Sequence, residues 1–411
     1  MSDVYVIGVG MTKFGKFLEG SVKALAAEAV GAVLKDAGVK KNDIQAAYVS
    51  NSFWGMFSEQ HSIRGQVLLH PLGFEEIPII NTENACAGAS TALHLAWTAV
   101  KAGLYDCVLA LGVEKISHQD KMLSFRSYAT CLDVEEFPQK IGQMMEELSK
   151  LELEIPEESQ PGQGRSIFMD LYAMGARWHM ARYGSTQRQL AAIAAKNHEH
   201  GCLNPYAQIR IKMTLEEVLN DRPVAYPFTR AMCSPVGDGA AAAIICSADY
   251  LKHLKEARPV RIAASVLGTG RARDLDGEHI GKTVAAKAYQ SASVGPEDID
   301  LAELHDATAF GELLQSEVMG FCPEGEGGLL AESGATRLGG RIPINTSGGL
   351  ECRGHPIGAS GLAQVYEVVT QLRGEAGERQ VEGARWALTE NGGGFLGVEE
   401  AVAAVHIFAR Q

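Results

Sequence analysis

Apolar and polar positions alternate along the first fifty residues in a pattern that predicts strands and a helix. Residues 4–9 predict a buried strand, residues 21–35 an Ala- and Val-rich amphipathic helix, and residues 46–50 a second strand. A strand, a helix and a strand in this order are typical of a βαβ unit, in which the helix connects two parallel strands. The chain therefore begins as an α/β protein.

The same order of elements returns in the second part of the chain. A helix-like run at 283–291 precedes an apolar segment at 301–304, and the turn at 38–44 matches the turn at 293–299 in spacing and in its Asp-Ile pair. Downstream, three paired segments follow in the same order: strands at 77–80 and 342–344, Gly-Ala-Ser helix starts at 86–90 and 355–360, and strands at 108–112 and 386–389. These matches predict two related α/β halves. Packed face to face, the halves would bring the two Gly-Ala-Ser helices together.

The stretch between the halves, residues 117–232, does not follow the repeated order of elements. An acidic run at 135–158 leads into Pro-Gly-Gln-Gly at 161–164, and helical patterns follow at 166–183 and 186–200. Residues 238–246 then predict a buried strand that completes the first half, so the insertion leaves and rejoins one sheet. We therefore expect three parts: residues 1–116 with 233–258, an inserted cap over the site at 117–232, and residues 259–411.

Composition narrows the classes of function. The formal charge is -13, and neither a basic stripe nor an aromatic-basic pattern occurs, which argues against a nucleic-acid or anionic-membrane partner. A small polyanionic ligand would need only a few local cations. Arg222, Arg230, Arg271 and Arg273 are candidates that the sequence cannot rank, and surface charge is the default interpretation for each.

Cysteine usage and the start of the chain predict the compartment. Eight cysteines occur without a C-x-x-C pair, which is typical of a reducing environment. Met1 leads almost directly into the first strand, which leaves no room for a signal peptide, and no apolar run is long enough to cross a bilayer. We expect a cytoplasmic protein.

Cys86 is the strongest candidate for chemistry. It lies where a strand gives way to a helix, and unpaired N–H groups at a helix start favour a thiolate. We expect the ordinary role of a small buried apolar residue for five of the other cysteines, Cys107, Cys131, Cys233, Cys246 and Cys322.

Two histidines and a glycine triplet could complete a site. His355 lies at the equivalent helix start of the second half, where an imidazole could take the thiol proton. His305, followed by Asp306, closes a strand and could donate to a developing oxyanion. Glu390, Asn391 and the Gly triplet 392–394 follow the last long strand, and the glycines would let backbone N–H groups face a ligand.

Other signals are weak. Gly8-Val9-Gly10 lacks the third glycine of a dinucleotide-binding loop, and no G-x-S-x-G elbow occurs. The run 198–202, His-Glu-His-Gly-Cys, contains metal-like ligands, but its place near a predicted helix end favours a solvated polar cluster.

Together these motifs resemble the thiolase superfamily along nearly the whole chain. Residues 84–88, Asn-Ala-Cys-Ala-Gly, are similar to the nucleophile loop, Gly354-His355-Pro356 to the base loop, and the His305-Asp306 start to the sterol-carrier-protein type and to archaeal thiolases. The resemblance implies two duplicated βαβαβαββ halves in a five-layered αβαβα arrangement with an inserted loop domain.

The resemblance also implies roles for these residues. Cys86 would take the acyl group, His355 would activate it, and His305 would hold the thioester enolate together with an ordered water. The backbone N–H groups of Cys86 and Gly392 would form a second oxyanion hole. No metal or cofactor is implied, because coenzyme A is a substrate.

The chain departs from the family pattern in its second thiol. Most thiolases carry an acid/base cysteine two residues before the Gly triplet, where this chain has Glu390. The sterol-carrier type places it two residues after the histidine, where this chain has Ala307. We hypothesise that Glu390 exchanges the proton with the substrate α-carbon, provided that burial raises its pKa above the ordinary value of about 4.3. Cys352 is a poorer substitute, for which we expect a structural role.

We therefore predict an acyltransferase that cleaves or forms a 3-oxoacyl-CoA through a Cys86 acyl-enzyme, on a branched or aromatic substrate such as benzoylsuccinyl-CoA. Three alternatives stay open: a retro-aldol lyase of the same fold working with a small OB-fold and zinc-ribbon partner, a carrier-protein-dependent ketosynthase, and a non-catalytic acyl-CoA-binding scaffold subunit. The intact Cys86 argues against the lyase, and the Gly-His-Pro context of His355 argues against the ketosynthase. The resemblance further implies a homodimer. Association with an OB-fold and zinc-ribbon partner would make the assembly a heteromer.

Overall fold

The helices and strands are taken from a computed structural model that describes residues 3–136, 139, 141–142, 146 and 165–411. The strands are β1 Val4–Met11, β2 Ala46–Ser50, β3 Ile79–Thr82, β4 Cys107–Glu114, β5 Pro223–Ala225, β6 Phe228–Thr229, β7 Gly239–Ser247, β8 Val260–Thr269, β9 Leu301–Glu303, β10 Trp386–Leu396 and β11 Glu399–Arg410. The helices are α1 Val22–Ala37, α2 Trp54–Ser58, α3 Arg64–Leu69, α4 Gly88–Lys101, α5 Lys121–Ala129, α6 Ile167–Tyr183, α7 Gln187–Leu203, α8 Leu215–Leu219, α9 Ala248–Leu251, α10 Ile280–Ala292, α11 Ala309–Val318, α12 Gly327–Glu332, α13 Gly349–Arg353 and α14 Ser360–Leu372.

The order of the strands repeats. One half runs β1, β7, β4, β2, β3 and the other runs β8, β11, β10, β9, with β1 and β8 paired antiparallel at the junction. In each half the second strand along this order is antiparallel to both of its neighbours, and the later strands are parallel. Ile344 forms a single parallel bridge to Ala302, in the place that β3 takes in the first half. The duplication is confirmed, although the strand predicted at 342–344 is reduced to this bridge.

Helices pack on both faces of the strands and give the five predicted layers. Helix α1 covers the outer face of the first half, and α10 covers the outer face of the second. Helices α4 and α14 lie between the halves in a core that both halves share. A Cβ atom added to Gly361 would lie 2.2 Å from Ser90 Oγ, so this glycine is what lets the two central helices approach so closely. The predicted meeting of the Gly-Ala-Ser helices is confirmed.

Caps explain where the predicted helices begin and end. Ser21 Oγ accepts a hydrogen bond from Ala24 N at 3.1 Å, and Gly38, at φ 67°, closes α1 in the left-handed conformation. Thr186 and Gln189 form a capping box at the start of α7. The helices predicted at 21–35, 166–183 and 186–200 are therefore confirmed to within a few residues.

Two local predictions are wrong. The segment 390–394 does not follow the last strand but lies inside β10, which continues to Leu396. His198 and His200 are buried in α7, where Ile211 O lies 2.8 Å from His198 Nδ1 and Asn345 O lies 3.1 Å from His200 Nδ1. The run 198–202 is therefore a set of structural hydrogen bonds and not a solvated cluster.

The inserted stretch rejoins the first half as predicted, because β7 pairs with both β1 and β4. The acidic run 135–158 and the Pro-Gly-Gln-Gly turn lie mostly outside the described residues. The exact division into 1–116 with 233–258, 117–232 and 259–411 stays a prediction. Within the residues that the structure describes, no helix is long and apolar enough to cross a membrane.

Candidate active site

Cys86 lies in a strained turn immediately before α4. The turn Ala85–Ala87 is a 3-10 helix, and Ala85 has φ 47°, a left-handed conformation that is unfavourable for a residue with a Cβ. The Glu83 carboxylate holds this backbone in place by accepting from Ala85 N at 2.7 Å. No side chain caps the start of α4; the 3-10 turn runs directly into the helix, with Ala87 N donating to Asn84 O at 3.0 Å and Gly88 N donating to Ala85 O.

The Cys86 thiol is protonated at rest and needs a base. Burial raises its pKa to about 12, and the negative charge of Glu83 adds to this effect. Hydrogen bonds from the backbone N–H groups of Gly394 and of Cys86 itself oppose the rise without cancelling it.

His355 has the tautomer of a base. Its Nε2 lies 3.3 Å from Cys86 Sγ, and its Nδ1 lies 2.7 Å from Ser360 Oγ. The Ser360 hydroxyl donates its proton to Pro356 O at 3.1 Å, so its oxygen accepts from Nδ1–H. Nε2 is therefore left with a lone pair aimed at the thiol. Burial and the cation of Arg353 keep the pKa of His355 well below its ordinary value, so the ring is neutral and able to accept a proton.

His305 has the opposite tautomer. Ser90 Oγ donates to Asn391 Oδ1 at 2.9 Å, which orients the Asn391 amide so that Nδ2 donates to His305 Nδ1 at 2.8 Å. The ring proton is then on Nε2, where it can donate to an oxyanion. Burial lowers the pKa of His305 to about 3, which keeps the ring neutral. The rings of His305 and His355 meet edge to face, with centroids 5.2 Å apart.

The related halves contribute matching serines to this site. Ser90 begins the Gly-Ala-Ser helix of one half and acts through Asn391 on His305, whereas Ser360 begins the other and contacts His355 directly. The two equivalent helices therefore fix His305 as a hydrogen-bond donor on one side of Cys86 Sγ and His355 as a proton acceptor on the other.

Sulfur and imidazole atoms of Cys86, His305 and His355 all lie within 4.8 Å of one another. Such a set can also bind zinc. The hydrogen bonds favour proton transfer instead, because Asn391 occupies His305 Nδ1 and leaves the proton on Nε2.

Glu390 lies apart from the open space of the site. Its Oε2 accepts from His305 N at 2.9 Å, its Oε1 is buried without a partner among the described residues, and burial raises its pKa to about 8. Glu390 is not among the described residues that line the cavity over Cys86. Burial therefore raises the pKa of Glu390 as the hypothesis required, but Glu390 does not line the cavity over Cys86.

The cavity over Cys86, named the catalytic cavity below, has a volume of about 200 Å³. It is lined by Cys86, His305, His355 and the Gly triplet 392–394. Side chains of the 117–232 stretch line its other walls, among them Phe125, Tyr128, Phe168, Met169 and Arg222. Of the four candidate arginines, Arg222 alone lines this cavity; Arg230 pairs with Asp221, Arg271 with Glu278, and Arg273 with Glu399.

Two lining residues correct the sequence interpretation and a third was missed. Cys131 and Cys233, predicted to be ordinary buried cysteines, are partly exposed and line the catalytic cavity. Glu400 also lines it, from the second position of β11. The signal for Glu400 was present in the sequence: a Glu-Glu pair at 399–400 opens an otherwise apolar strand, and buried carboxyls of this kind often serve chemistry.

A second cavity, about 110 Å³ in volume, adjoins the first and shares Tyr172, His305, Phe395 and Glu400 with it. Its remaining wall is largely apolar and aromatic, with Trp178, Tyr183, Phe310, Leu314 and Val318.

The charged groups at the edge of this second cavity are paired. The Arg273 guanidinium donates to Glu399 and to four backbone carbonyls, and His179 Nε2 lies 3.2 Å from Glu317. The second cavity therefore suits an uncharged group.

The loop that carries His355 is tied to the first half by Glu114. This buried carboxyl, at the end of β4, accepts from Gly358 N at 3.2 Å and from the backbone N–H groups of Ser52 and Phe53. Asn51 Nδ2 donates to it as well, at 2.9 Å. Glu114 thereby fixes the base loop relative to the nucleophile half.

Comparison with known proteins agrees with this geometry. Residues 4–213 match the family model "Thiolase, N-terminal domain", and residues 269–409 match "Thiolase C-terminal domain-like". The chain belongs to the thiolase family. The family assignment confirms the predicted resemblance and the predicted enzyme class, acyltransferase.

Relatives of this thiolase include both types that its motifs resembled. It is 41% identical to "Acetyl-CoA acetyltransferase" of Methanothermobacter thermautotrophicus over 100% of both chains. It is 38% identical to "Sterol carrier protein 2" of Gallus gallus, over 94% of this chain and 69% of the other. It is 36% identical to "Benzoylsuccinyl-CoA thiolase subunit BbsB" of Thauera aromatica, over 95% of this chain and 94% of the other.

Solved structures share the thiolase fold. The "Ltp2-ChsH2(DUF35) aldolase" superposes with a TM-score of 0.76 at 21% identity, covering 100% of this chain and 98% of the other. Human mitochondrial 3-ketoacyl-CoA thiolase in complex with CoA gives a TM-score of 0.70 at 17% identity, covering 100% and 98%.

Proposed function

We propose that this thiolase cleaves or forms a 3-oxoacyl-CoA through an acyl group carried on Cys86. The observation that carries the proposal is the 3.3 Å contact between Cys86 Sγ and an unprotonated His355 Nε2. A buried thiol with a pKa near 12 is unreactive by itself, and an aligned neutral imidazole supplies the base that it lacks.

In the cleavage direction, the Cys86 proton passes to His355 Nε2 while the sulfur attacks the 3-oxo carbon. The C2–C3 bond then breaks, the acyl group stays on sulfur, and the electron pair moves to C2 and its thioester oxygen as an enolate. His305 Nε2–H donates to that oxygen, because its tautomer is fixed by Asn391. After C2 is protonated, coenzyme A attacks the acyl-enzyme, and His355 returns the proton to Cys86.

Acyl-CoA and CoA are the proposed ligands of the catalytic cavity. The cavity extends from Cys86 to side chains of the 117–232 stretch, and Arg222 provides a cation there for a phosphate-bearing ligand. The proposal requires no resident metal or cofactor. The backbone N–H groups of Cys86 and Gly392 remain candidates for the second oxyanion hole, and Gly394 N–H joins them because it already reaches the sulfur.

We further propose a substrate whose acyl part is branched or aromatic. The second cavity opens beside His305 and offers an aromatic, uncharged wall. Such a wall suits a phenyl or branched alkyl group, and benzoylsuccinyl-CoA is an example of this class that a 36% identical relative names.

The alternatives are less well supported. A retro-aldol lyase does not need a nucleophilic thiol, and a scaffold subunit needs neither the thiol nor its base, yet both are aligned here. We retain the proposals of a homodimer and of a small OB-fold and zinc-ribbon partner. The partner is suggested by a relative that is named as a subunit and by a solved structure of the same fold that is named as a DUF35 aldolase.

Incubation of the purified chain with acyl-CoA, followed by intact-mass and peptide mass spectrometry, tests the proposal. We expect one acyl adduct, located on Cys86, and no adduct in Cys86→Ala. Activity with acetoacetyl-CoA and CoA should be lost in the same variant. Unchanged turnover in Cys86→Ala would refute the covalent step, and activity that appears only after a partner is added would support the heteromer.

A further inference from the structure

The proposed function leaves one proton unassigned. When the C2–C3 bond breaks, C2 must receive a proton, and the thiol of the incoming CoA must then lose one. His355 holds the Cys86 proton and His305 is a fixed neutral donor, so a further acid/base group has to face the substrate. Glu390 takes the place of the missing second thiol in the sequence, but it is not among the described residues that line either cavity.

The geometry of β10 shows which face of the strand Glu390 occupies. Side chains alternate between the faces of a strand, so positions 390 and 392 face one way and positions 391 and 393 the other. A Cβ at Gly393 would lie 2.3 Å from Asn84 O in the nucleophile loop, whereas a Cβ at Gly392 would meet the Glu400 carboxyl. Glu390 therefore lies on the same face of β10 as the Glu400 carboxyl, but of these two carboxyls only Glu400 is among the described residues that line the cavities.

Glu400 fills the space that the missing side chain of Gly392 leaves open. A Cβ atom at Gly392 would lie 2.1 Å from Glu400 Oε1. That Oε1 accepts from Gln315 Nε2 at 3.1 Å, whereas Oε2 is buried without a hydrogen-bond partner among the described residues. Glu400 is only 5% exposed, yet it lines both the catalytic cavity and the second cavity.

Burying a carboxyl oxygen without a hydrogen-bond partner costs free energy. Proteins tolerate such an oxygen most readily where it takes part in a reaction or where a bound ligand supplies the partner. The position of Glu400 agrees with such a role. The carboxyl is near enough to Cys86 that its charge raises the pKa of the thiol, and it lies where the second cavity adjoins the cavity over Cys86.

We propose that Glu400 is the acid/base residue that exchanges a proton with the substrate α-carbon, and that Glu390 is a buried carboxyl neighbour that does not ionise at the same time. This inference rests on the proposed thiolase function. In cleavage, the Glu400 carboxylic acid gives its proton to C2 of the enolate and becomes a carboxylate. That carboxylate then takes the proton from the thiol of the incoming CoA as the sulfur attacks the acyl-enzyme, which restores the resting acid.

Electrostatics support the protonated resting state. Burial raises the pKa of Glu400 well above its ordinary value, and negative charge on Glu390, whenever it ionises, and on Glu399 adds to this, whereas Arg273 and the Gln315 hydrogen bond oppose it. Among the described residues, Cys86 and Tyr172 also interact with Glu400, and both are neutral at rest because burial raises their pKa values. His305, which lines both cavities with Glu400, is neutral because burial lowers its pKa to about 3.

The test separates C2 chemistry from acylation. Wild type, Glu400→Gln and Glu390→Gln would be acylated on Cys86 and incubated with acyl-CoA in D₂O, and deuterium at C2 would be followed by mass spectrometry. We expect Glu400→Gln to form the Cys86 adduct while its exchange falls by about 100-fold or more, in line with the usual contribution of general acid–base catalysis. We expect Glu390→Gln to retain exchange with a shifted pH profile.

A second variant guards against a folding defect. Glu400→Ala removes the carboxyl altogether, and formate, small enough for the vacated space, should restore exchange in a concentration-dependent way, which a purely structural residue would not allow. Exchange within a few-fold of wild type in Glu400→Gln would overturn the proposal while leaving the thiolase function intact. Loss in Cys131→Ser with retention in Glu400→Gln would also overturn it and assign the step to that thiol. If wild type forms no Cys86 adduct, the proposed function itself fails.

Discussion

The hydroxyl of Ser360 decides which nitrogen of His355 faces the nucleophile, and this gives a sharp prediction. In Ser360→Ala the Nδ1–H loses its acceptor at 2.7 Å in a fully buried site. Leaving a buried donor unpaired costs about 1–3 kcal/mol. The ring can avoid that cost by moving the proton to Nε2, but Nε2–H can no longer accept the Cys86 proton.

The shift of the proton to Nε2 lowers the population of base-competent His355 by up to this free energy. About 1.4 kcal/mol corresponds to a tenfold change in rate, so acylation of Cys86 should slow by roughly 5- to 150-fold. The rate of adduct formation by acyl-CoA, measured by quenched-flow mass spectrometry, gives this quantity directly. Peptide mapping of iodoacetamide labelling at Cys86 gives an independent value that does not depend on substrate binding.

Ser90→Ala is the matched control, because Ser90 is the equivalent serine of the other half and acts on His305 instead. We expect it to leave iodoacetamide labelling of Cys86 near the wild-type rate while it slows deuterium exchange at C2. If Ser360→Ala labels Cys86 within about twofold of wild type, the tautomer argument is wrong. If both serine variants slow labelling equally, the two halves do not have the separate roles that we assign.

Gly392→Ala should leave acylation of Cys86 intact but slow exchange at C2, because the new methyl group would displace the Glu400 carboxyl; unaffected exchange would contradict this placement. Exchange in wild type should rise with pH, since burial raises the pKa of Glu400 and only its carboxylate can take the proton from C2, and Glu390→Gln should shift that rise. The native state retains the Glu390 proton that the unfolded chain releases above pH 4.5, so this group lowers the free energy of unfolding as the pH rises from 4.5 to about 8, and urea titrations of wild type and Glu390→Gln should show the difference. Gly175→Val should fill the second cavity, lowering kcat/KM for an aromatic 3-oxoacyl-CoA by tenfold or more while sparing acetoacetyl-CoA; equal loss for both would argue against an acyl role of that cavity. Glu114→Ala should lower the free energy of unfolding by about 3 kcal/mol or more, since several buried N–H groups lose one acceptor, and a melting temperature within 2 °C of wild type would contradict it.

Much of the fold was predictable because helices and strands depend on local sequence patterns. Periodic apolar positions and caps such as Ser21 and Thr186 set the helix bounds, since they satisfy N–H groups within one turn of the chain. The duplication was predictable for a related reason: two halves with one architecture keep matching apolar runs and matching Gly-Ala-Ser helix starts. The strand predicted at 342–344 failed because an apolar run alone does not determine whether a partner strand extends beside it.

The candidate site was predictable only in part. Cys86, His305 and His355 each stand at the end of an element with a distinctive local sequence, and the structure brings them together. The glycine triplet was misplaced as a loop, because glycines weaken a strand prediction although β10 continues through them. Glu400 was overlooked because the Glu-Glu pair at 399–400 marks two unusual carboxyls in a strand but does not show which of them faces a cavity.

The sequence by itself determined the types of the elements, their repeated order and the identity of the nucleophile and its base, since these depend on short-range patterns and residue chemistry. Tertiary structure alone decided which nitrogen of each histidine carries a proton and which carboxyl lines the cavities. Those properties depend on partners far away in the chain: His355 meets a sulfur 269 residues away, and Glu400 occupies the space left by a glycine on the neighbouring strand. Proton positions and cavity access are properties of packed neighbours, and only the folded chain brings those neighbours together.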